Sequence, residues 1–119
     1  MKKYIGTKVI SAEPQTKDGK DGYKVVYEDC YTSWSPKDVF EKAYHEVKGC
    51  TFGEALEAAK RGKAFRLPSW NSDVSIRVQR PSDESDMTAP YLYVQSRYGR
   101  AAWKETMIEL FSEDWEIVD

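Results

Sequence analysis

The sequence predicts an α+β protein, built mainly from antiparallel β-sheet with two short helices. Segments in which apolar and polar residues alternate, such as Tyr23–Glu28 and Val74–Gln79, are typical of half-buried strands. Turn residues between such segments, among them Tyr98-Gly99, indicate hairpin connections. Two stretches combine a helix start signal with apolar residues at helical spacing. Helices are therefore the minority element, laid on one or two sheets.

Residues 1–48 form the first predicted domain, a small β–β–α module. A strand is predicted at Lys3–Ser11, where apolar residues occur among polar neighbours. The alternating segment Tyr23–Glu28 predicts the second strand, and a turn at 29–30 leads into a short strand through Tyr31–Ser33. The module thus has a few short strands before its helix.

The helix of this module is predicted from Pro36 to about Glu46. Ser35 is suited to the N-cap and Pro36 to the first helical position, and Asp38 supplies an acid in the first turn. Four residues form the apolar stripe: Val39, Phe40, Ala43 and Tyr44. Gly49 marks the predicted seam between the two domains.

Residues 49–119 form the second predicted domain, which opens with a clearly signalled helix. Thr51 and Glu54 have the spacing of a capping box, in which each side chain satisfies a main-chain N–H of the first turn. Gly62 is expected to end the helix in the left-handed conformation. The rest is predicted as short strands: Ala64–Leu67, Val74–Gln79, Tyr91–Ser96, Arg100–Trp103 and Trp115–Val118.

Composition excludes several classes of function. The chain has 119 residues and a net charge of −2, so nothing draws it as a whole to polymeric nucleic acid or an anionic membrane. No apolar run approaches membrane-spanning length, and no apolar stretch follows the N-terminal lysines as a signal peptide requires. We therefore expect a soluble, cytoplasmic protein.

Catalytic and metal-binding patterns are also missing. Cys30 and Cys50 form no Cys-x-x-Cys pair, and the single His45 does not complete a zinc set with them. There is no nucleophile elbow, phosphate-binding loop or dinucleotide fingerprint. The sequence predicts no enzyme, no catalytic residue, no cofactor and no metal.

A basic segment with an embedded tryptophan is the best candidate for ligand binding. Trp70 and Asn71 lie within Lys60–Arg80, where Asp73 is the only acid. An indole offers a planar face for a base, and arginine side chains such as Arg66 offer forked donors to phosphate. The alternative is a solvated charged face, with Trp70 closing the core.

Other aromatic residues leave two interpretations open. Tyr91 and Tyr93 alternate with Leu92 and Val94, so one pair faces the core and the other faces outward. Outward tyrosines would form a binding surface. Trp103, like the last tryptophan of the chain, is compatible with either core packing or ligand contact.

Several motifs of the second domain recur in order in one known family. They are Thr-Phe-Gly-Glu-Ala-Leu at 51–56, Ser-Trp-Asn at 69–71, Met-Thr-Ala-Pro-Tyr-Leu-Tyr at 87–93, and two tryptophans at 103 and 115. In this pattern Thr51–Asp119 resembles the phage-encoded Thoeris anti-defence sponge family of the second type. Residues 1–48 resemble a separate small module of phage and prophage proteins.

The resemblance implies a binding protein, located in the cytoplasm of the bacterial host, that performs no catalysis. Members of the family sequester cyclic ADP-ribose-type signals, and in some cases cyclic di- or trinucleotides, between the subunits of a homo-tetramer. Carried over by position, Trp70 stacks on the base with Asn71 beside it, Thr106 approaches phosphate, and Asp114 is the acid before the last tryptophan. With Arg66, Tyr91 and Trp103 these four complete the predicted ligand site.

The chain departs from the family pattern at three positions. Glu105 and Ile108 stand where the family has proline and a polar residue, and Ser69 replaces glycine. Ile108 removes a side chain that could bond phosphate, and Glu105 adds negative charge nearby. The alternative function is therefore a protein-interaction module of the same fold that has lost nucleotide binding.

Overall fold

The computed structural model describes all residues from 1 to 119, and they divide into two compact units, Met1–Glu46 and Val47–Asp119. Both units are built from antiparallel sheet, with three helices in the chain as a whole, so the predicted α+β class is confirmed. The boundary lies two residues before the seam predicted from the sequence. None of the helices has the length and apolarity that crossing a membrane requires.

The N-terminal unit is a three-stranded antiparallel sheet with one helix. Strands β1 (Ser11–Pro14), β2 (Gly22–Val26) and β3 (Thr32–Pro36) pair in that order, and helix α1 (Lys37–Ala43) packs on β2 and β3. Gly22 lies where the indole of Trp34 crosses the sheet, and a Cβ there would overlap that ring. This close approach explains why the position requires glycine.

The strand predicted at Lys3–Ser11 is wrong. Residues 1–10 have no regular structure, and β1 begins at Ser11, where pairing with Val26 starts. Tyr4 and Ile5 are almost fully exposed, so the apolar residues that suggested a strand bury no face. A strand gains its stability from packing against neighbours, which sequence periodicity does not guarantee.

The first helix is shorter than predicted and starts differently. Ser35, the predicted N-cap, lies inside β3 opposite Tyr23, and Pro36 takes the cap position without a side-chain hydrogen bond. The helix ends at Ala43 because Tyr44 is extended. Strand pairing at Ser35 has therefore overridden a local capping preference.

The C-terminal unit is a five-stranded antiparallel sheet that carries helix α2 (Phe52–Lys60) on one face. The strands are β4 (Ala64–Arg66), β5 (Ser75–Gln79), β6 (Tyr91–Ser96), β7 (Gly99–Ala102) and β8 (Glu116–Val118). Their order in the sheet is β7-β6-β5-β4-β8, so the last strand lies next to β4 and forms an edge of the sheet. The predicted capping box of Thr51 and Glu54 is present, and Gly62 has φ of +95° after the helix.

The core of this unit lies between α2 and the sheet. Phe65 and Ile76 are paired across β4 and β5 and are completely buried, as is Trp115. Because side chains alternate along a strand, the residues beside Phe65 point to the other face of the sheet. Helix α2 supplies Phe52 and several alanines, which let the helix approach the strands closely.

The two longer helices are the two that the sequence predicts, and a third helix of five residues, α3 (Met107–Phe111), was not predicted. It begins with a second capping box: Glu109 N donates to Thr106 Oγ1 at 3.3 Å, and Thr106 N donates to Glu109 Oε1 at 2.9 Å. The spacing is the same as that of Thr51 and Glu54. The helix packs against α2 and brings Leu110 to the core.

Candidate ligand-binding site

Three tryptophans meet at the edge of the core and form the centre of the candidate site. Trp70 lies edge-on to Trp115, with ring centroids 5.4 Å apart, and edge-on to Trp103 at 6.4 Å. Trp115 is buried and its Nε1 donates to the Glu109 carbonyl at 3.0 Å, whereas Trp70 and Trp103 are half-buried. Trp70 packs against the core, and the residue keeps part of its surface exposed.

The segment that carries Trp70, residues 68–74, is held in place from several sides. Trp70 N donates to the Leu67 carbonyl and Val74 N to the Asn71 carbonyl, each at 3.0 Å. Arg66 Nη1 donates to the Ser72 carbonyl at 2.8 Å. We call this segment the Trp70 loop. Its shape is fixed by the protein, so a ligand that binds to it loses little affinity to loop ordering.

Asp73 fastens the Trp70 loop to the β6–β7 hairpin. Its carboxylate accepts from the Arg97 guanidinium at 3.0 and 3.1 Å and from Arg97 N at 2.9 Å. These hydrogen bonds hold the pKa of Asp73 well below its usual value, chiefly through the Arg97 side chain. The loop is thus braced by a carboxylate that stays charged at neutral pH.

Asn71 is the exposed polar group of the Trp70 loop. Its main-chain carbonyl closes the turn to Val74, while its side-chain amide forms no hydrogen bond with the protein. An amide offers both donors and an acceptor, which suits the edge of a nucleobase or a ribose hydroxyl. The loop therefore presents an accessible indole and an unused amide side by side.

Thr106 lies at the start of α3, where its hydroxyl is occupied by helix capping. Thr106 Oγ1 accepts from Glu109 N and donates to Glu109 Oε1 at 3.1 Å. The family resemblance implies that this side chain approaches phosphate; in the ligand-free structure the hydroxyl caps the helix. Asp114 lies beyond the other end of α3, exposed, with its main-chain N donating to Ser112 Oγ.

Helix α3 carries an exposed apolar patch, which we call the α3 patch: Met107, Ile108 and Phe111. Their exposures are 66%, 85% and 79%. The opposite side of the same helix provides the core residue Leu110. Three apolar side chains displayed on one short helix are typical of a surface that is covered in an assembly.

Arg66 and Tyr91 do not join the tryptophans. Tyr91 and Tyr93 alternate with the core residues Leu92 and Val94, so they face the side of the sheet away from α2, as does Arg66. Tyr93 is nevertheless buried, and the Arg100 guanidinium lies 5.5 Å from its ring. Arg66 and Tyr91 thus lie on the face of the sheet opposite to the one on which Trp70 and Trp103 pack.

The basic segment Lys60–Arg80 is largely neutralised by its own unit. Lys60 pairs with Glu57, Lys63 with Asp119 and Arg66 with Glu116, at 3.1, 2.7 and 3.8 Å. Arg77 donates to the main-chain oxygen of Asp119 and Arg80 to that of Lys60, both at 2.9 Å. The pair with Lys63 lowers the pKa of Asp119. These cations are therefore paired within the unit, which leaves less positive charge available to bind a phosphate.

The two cysteines differ in environment. Cys50 is buried, and its pKa is raised to about 11, mainly by burial and to a smaller extent by the negative charge of Glu54. It is therefore a protonated thiol at neutral pH and a poor nucleophile. Cys30 is exposed in the turn between β2 and β3, where it has φ of +67°.

Comparison with known proteins bears on residues 50–118, which match the model of the Thoeris anti-defense 2-like (Tad2-like) domain. The matched region covers more than half of the chain and contains the tryptophan cluster, the Trp70 loop and α3. No curated protein and no solved structure is significantly similar to the chain. On the strength of the domain match, the chain belongs to the Thoeris anti-defense 2-like family.

Proposed function

We propose that this protein binds and sequesters a cyclic nucleotide immune signal, of the cyclic ADP-ribose or cyclic oligonucleotide type, and so counters a bacterial defence. Membership of an anti-defence domain family supports a phage role against Thoeris. The observation that carries the nucleotide proposal is the Trp70 loop, with its accessible indole and unused Asn71 amide. The ligand is held and not converted, so the proposal requires no catalytic group.

The geometry supports stacking as the main source of affinity. Base stacking on an aromatic ring contributes about 1–3 kcal/mol. Trp70 cannot turn away when a ligand arrives, because its ring packs against Trp115 and Trp103. Since most nearby cations already have partners, phosphate contacts are expected to come from a second subunit or from main-chain N–H groups.

Thermal melting against cyclic ADP-ribose isomers and cyclic di- and trinucleotides tests this proposal. A ligand at 100 times its dissociation constant stabilises the fold by about 2.7 kcal/mol, a shift of several degrees at this size. Asn71→Ala should reduce the shift and leave the ligand-free melting temperature unchanged, because the amide forms no hydrogen bond within the protein. Ser72→Ala, one residue along the same loop, is the matched control and should keep the shift. No shift with any nucleotide would contradict the proposal.

Thr106 needs a separate test, because its hydroxyl already caps α3. Thr106→Asp retains a good N-cap and places negative charge at the helix start, so it should leave stability intact. If Thr106 lies near a bound phosphate, the same change weakens ligand binding by charge repulsion. Thr106→Ser is the control that preserves both hydroxyl and cap. Equal affinity in the Asp and Ser variants would remove Thr106 from the ligand site.

Self-association, to a tetramer by family resemblance, is part of the proposal. The α3 patch supports it, because adjacent exposed apolar side chains can mark a protein–protein contact. Sedimentation velocity of the wild type should show an oligomer, and Phe111→Ser should reduce it. A wild-type monomer at the concentrations where ligand binds would contradict this part alone.

A second candidate function is protein interaction by a module that has lost nucleotide binding. Ile108 favours it, since this almost fully exposed apolar side chain stands where the family resemblance expects a polar one. Ile108→Thr separates the two candidates. If the wild type binds no nucleotide and Ile108→Thr binds one, Ile108 has abolished nucleotide binding and the second candidate is supported. If both bind equally, Ile108 is irrelevant to the ligand and the second candidate fails.

A further inference from the structure

The N-terminal unit contains an open groove that the proposed function does not use. It has a volume of about 450 Å³ and lies between the segment before β1 and the turn that joins β2 to β3. Its walls are aromatic, aliphatic and acidic: Val9, Ile10, Tyr27, Glu28, Asp29 and Tyr31, with Lys8 at its edge. The rings of Tyr27 and Tyr31 stack with centroids 5.9 Å apart and form its aromatic wall.

An ammonium group of the protein itself already occupies the aromatic wall. Lys8 Nζ lies 4.6 Å from the centre of the Tyr27 ring and 5.9 Å from that of Tyr44. Both distances are within the range at which a cation is attracted to the face of a ring. Tyr44 ends a stacked series through Phe40 to Tyr23, so these rings are held in position.

The acidic residues of the groove add to the preference for a cation. Asp29 Oδ1 accepts from Tyr31 N at 3.0 Å, which fixes the carboxylate in the turn. Its second oxygen accepts no hydrogen bond from the protein. Together with Glu28, Asp29 outweighs the single positive charge of Lys8, so the groove is net negative. Carboxylates beside aromatic faces suit a guanidinium or ammonium ion.

We propose that this groove is a binding site for a basic side chain, arginine or lysine, presented by an extended segment of a partner protein, with Lys8 as a built-in competitor. The partner's cation takes the place of Lys8 on the Tyr27 ring and pairs with Asp29. The site is independent of the nucleotide proposal, since every residue in it belongs to the N-terminal unit.

The adjoining strand explains why an extended segment fits. Strand β1 follows directly after the groove residue Ile10 and forms an edge of its sheet, with all four of its residues exposed. An edge strand offers unpaired main-chain groups to an added strand, while a neighbouring pocket selects one side chain. Pro14 ends this edge, because proline has no N–H to offer.

NMR titration of the ¹⁵N-labelled full-length chain tests the proposal, with a blocked tripeptide carrying a central arginine as the probe. Amide signals of residues 28–31 should shift, whereas a tripeptide with central glutamate should leave them unchanged. Lys8→Ala should tighten binding of the arginine tripeptide about two- to fivefold. In this variant the exposed cation–π contact of Lys8 with Tyr27, of about 0.5–1 kcal/mol, no longer competes with the arginine of the probe. Tyr31→Ala should weaken it, and its ring is exposed enough that folding is unaffected.

Lys17→Ala is the matched control for charge. Lys17 Nζ lies 5.8 Å from the Trp34 ring centre in the same unit but does not line the groove, so affinity should not change. Three outcomes would overturn the proposal: no shift with the arginine probe, equal shifts with the glutamate probe, or an affinity that Lys8→Ala lowers or leaves unchanged.

Discussion

The two units of this chain are stabilised in different ways. In the C-terminal unit an aromatic cluster fills the space between α2 and the sheet, and Phe65, Ile76 and Trp115 are completely buried. In the N-terminal unit Val25 is the only buried side chain, and the aromatic rings of this unit stack along its surface. A segment of this length has too little interior to bury more.

This difference separates two uses of aromatic residues. Buried edge-on contacts, such as that of Phe65 with Trp115 at 5.1 Å, hold the C-terminal fold and support the Trp70 loop. Stacked rings at the surface of the N-terminal unit leave their faces accessible, which is why one of them attracts Lys8. The aromatic rings that the N-terminal unit does not bury are therefore candidate binding surfaces.

Truncating the central side chain of each unit tests the comparison most severely. Trp115→Ala should lower the free energy of unfolding by about 3–5 kcal/mol, because it leaves a large cavity among the aromatic rings. Val25→Ala removes two methyl groups and should cost about 2 kcal/mol. Urea unfolding measures both, and hydrogen exchange locates the change in each unit. A larger cost for Val25→Ala would show that the N-terminal unit holds more of the stability.

The two capping boxes provide a more delicate test within the C-terminal unit. Thr51→Ala and Thr106→Ala should each weaken the helix that the threonine caps by about 1 kcal/mol through loss of an N-cap. The first frays a helix with four buried residues, whereas the second frays a five-residue helix with none. Thr51→Ala should therefore reduce overall stability, and Thr106→Ala should mainly raise hydrogen exchange in α3. Thr51→Ser and Thr106→Ser, which keep the caps, should restore both. Equal effects on overall stability would show that the C-terminal unit depends on α3 as much as on α2.

Acid conditions should produce the smallest effect. The pKa of Asp73 in the folded protein is depressed below its usual 3.8. Its contribution to the stability of the fold is therefore fully present above about pH 4 and is lost as the pH falls through the depressed pKa. Asp73→Asn should therefore lower the melting temperature slightly at pH 7 and flatten its decline below pH 4. Asp83→Asn, at an exposed carboxylate without an ion pair, should match the wild type at both pH values. A wild-type profile in Asp73→Asn would mean that the pair with Arg97 does not brace the Trp70 loop.

Local signals predicted the C-terminal unit better than the N-terminal one. The Thr51 box and the β6 strand were placed correctly, because caps and alternating apolar residues act through neighbours in the chain. Helix α3 was missed, although Thr106 and Glu109 show the same spacing as Thr51 and Glu54. Its five residues and exposed apolar face lack the helical periodicity that marks a longer helix.

For the candidate site, the sequence determined which residue types are available, including the Trp70-Asn71 pair and the family to which its motifs belong. The tertiary structure decided how each is used. It placed Tyr91 and Arg66 on the face away from the tryptophans, committed Thr106 to a cap, and paired most of the basic segment. Strand register and strand order depend on contacts between residues far apart in the chain. Those contacts, and not local propensity, determine which side chains remain free to bind a ligand.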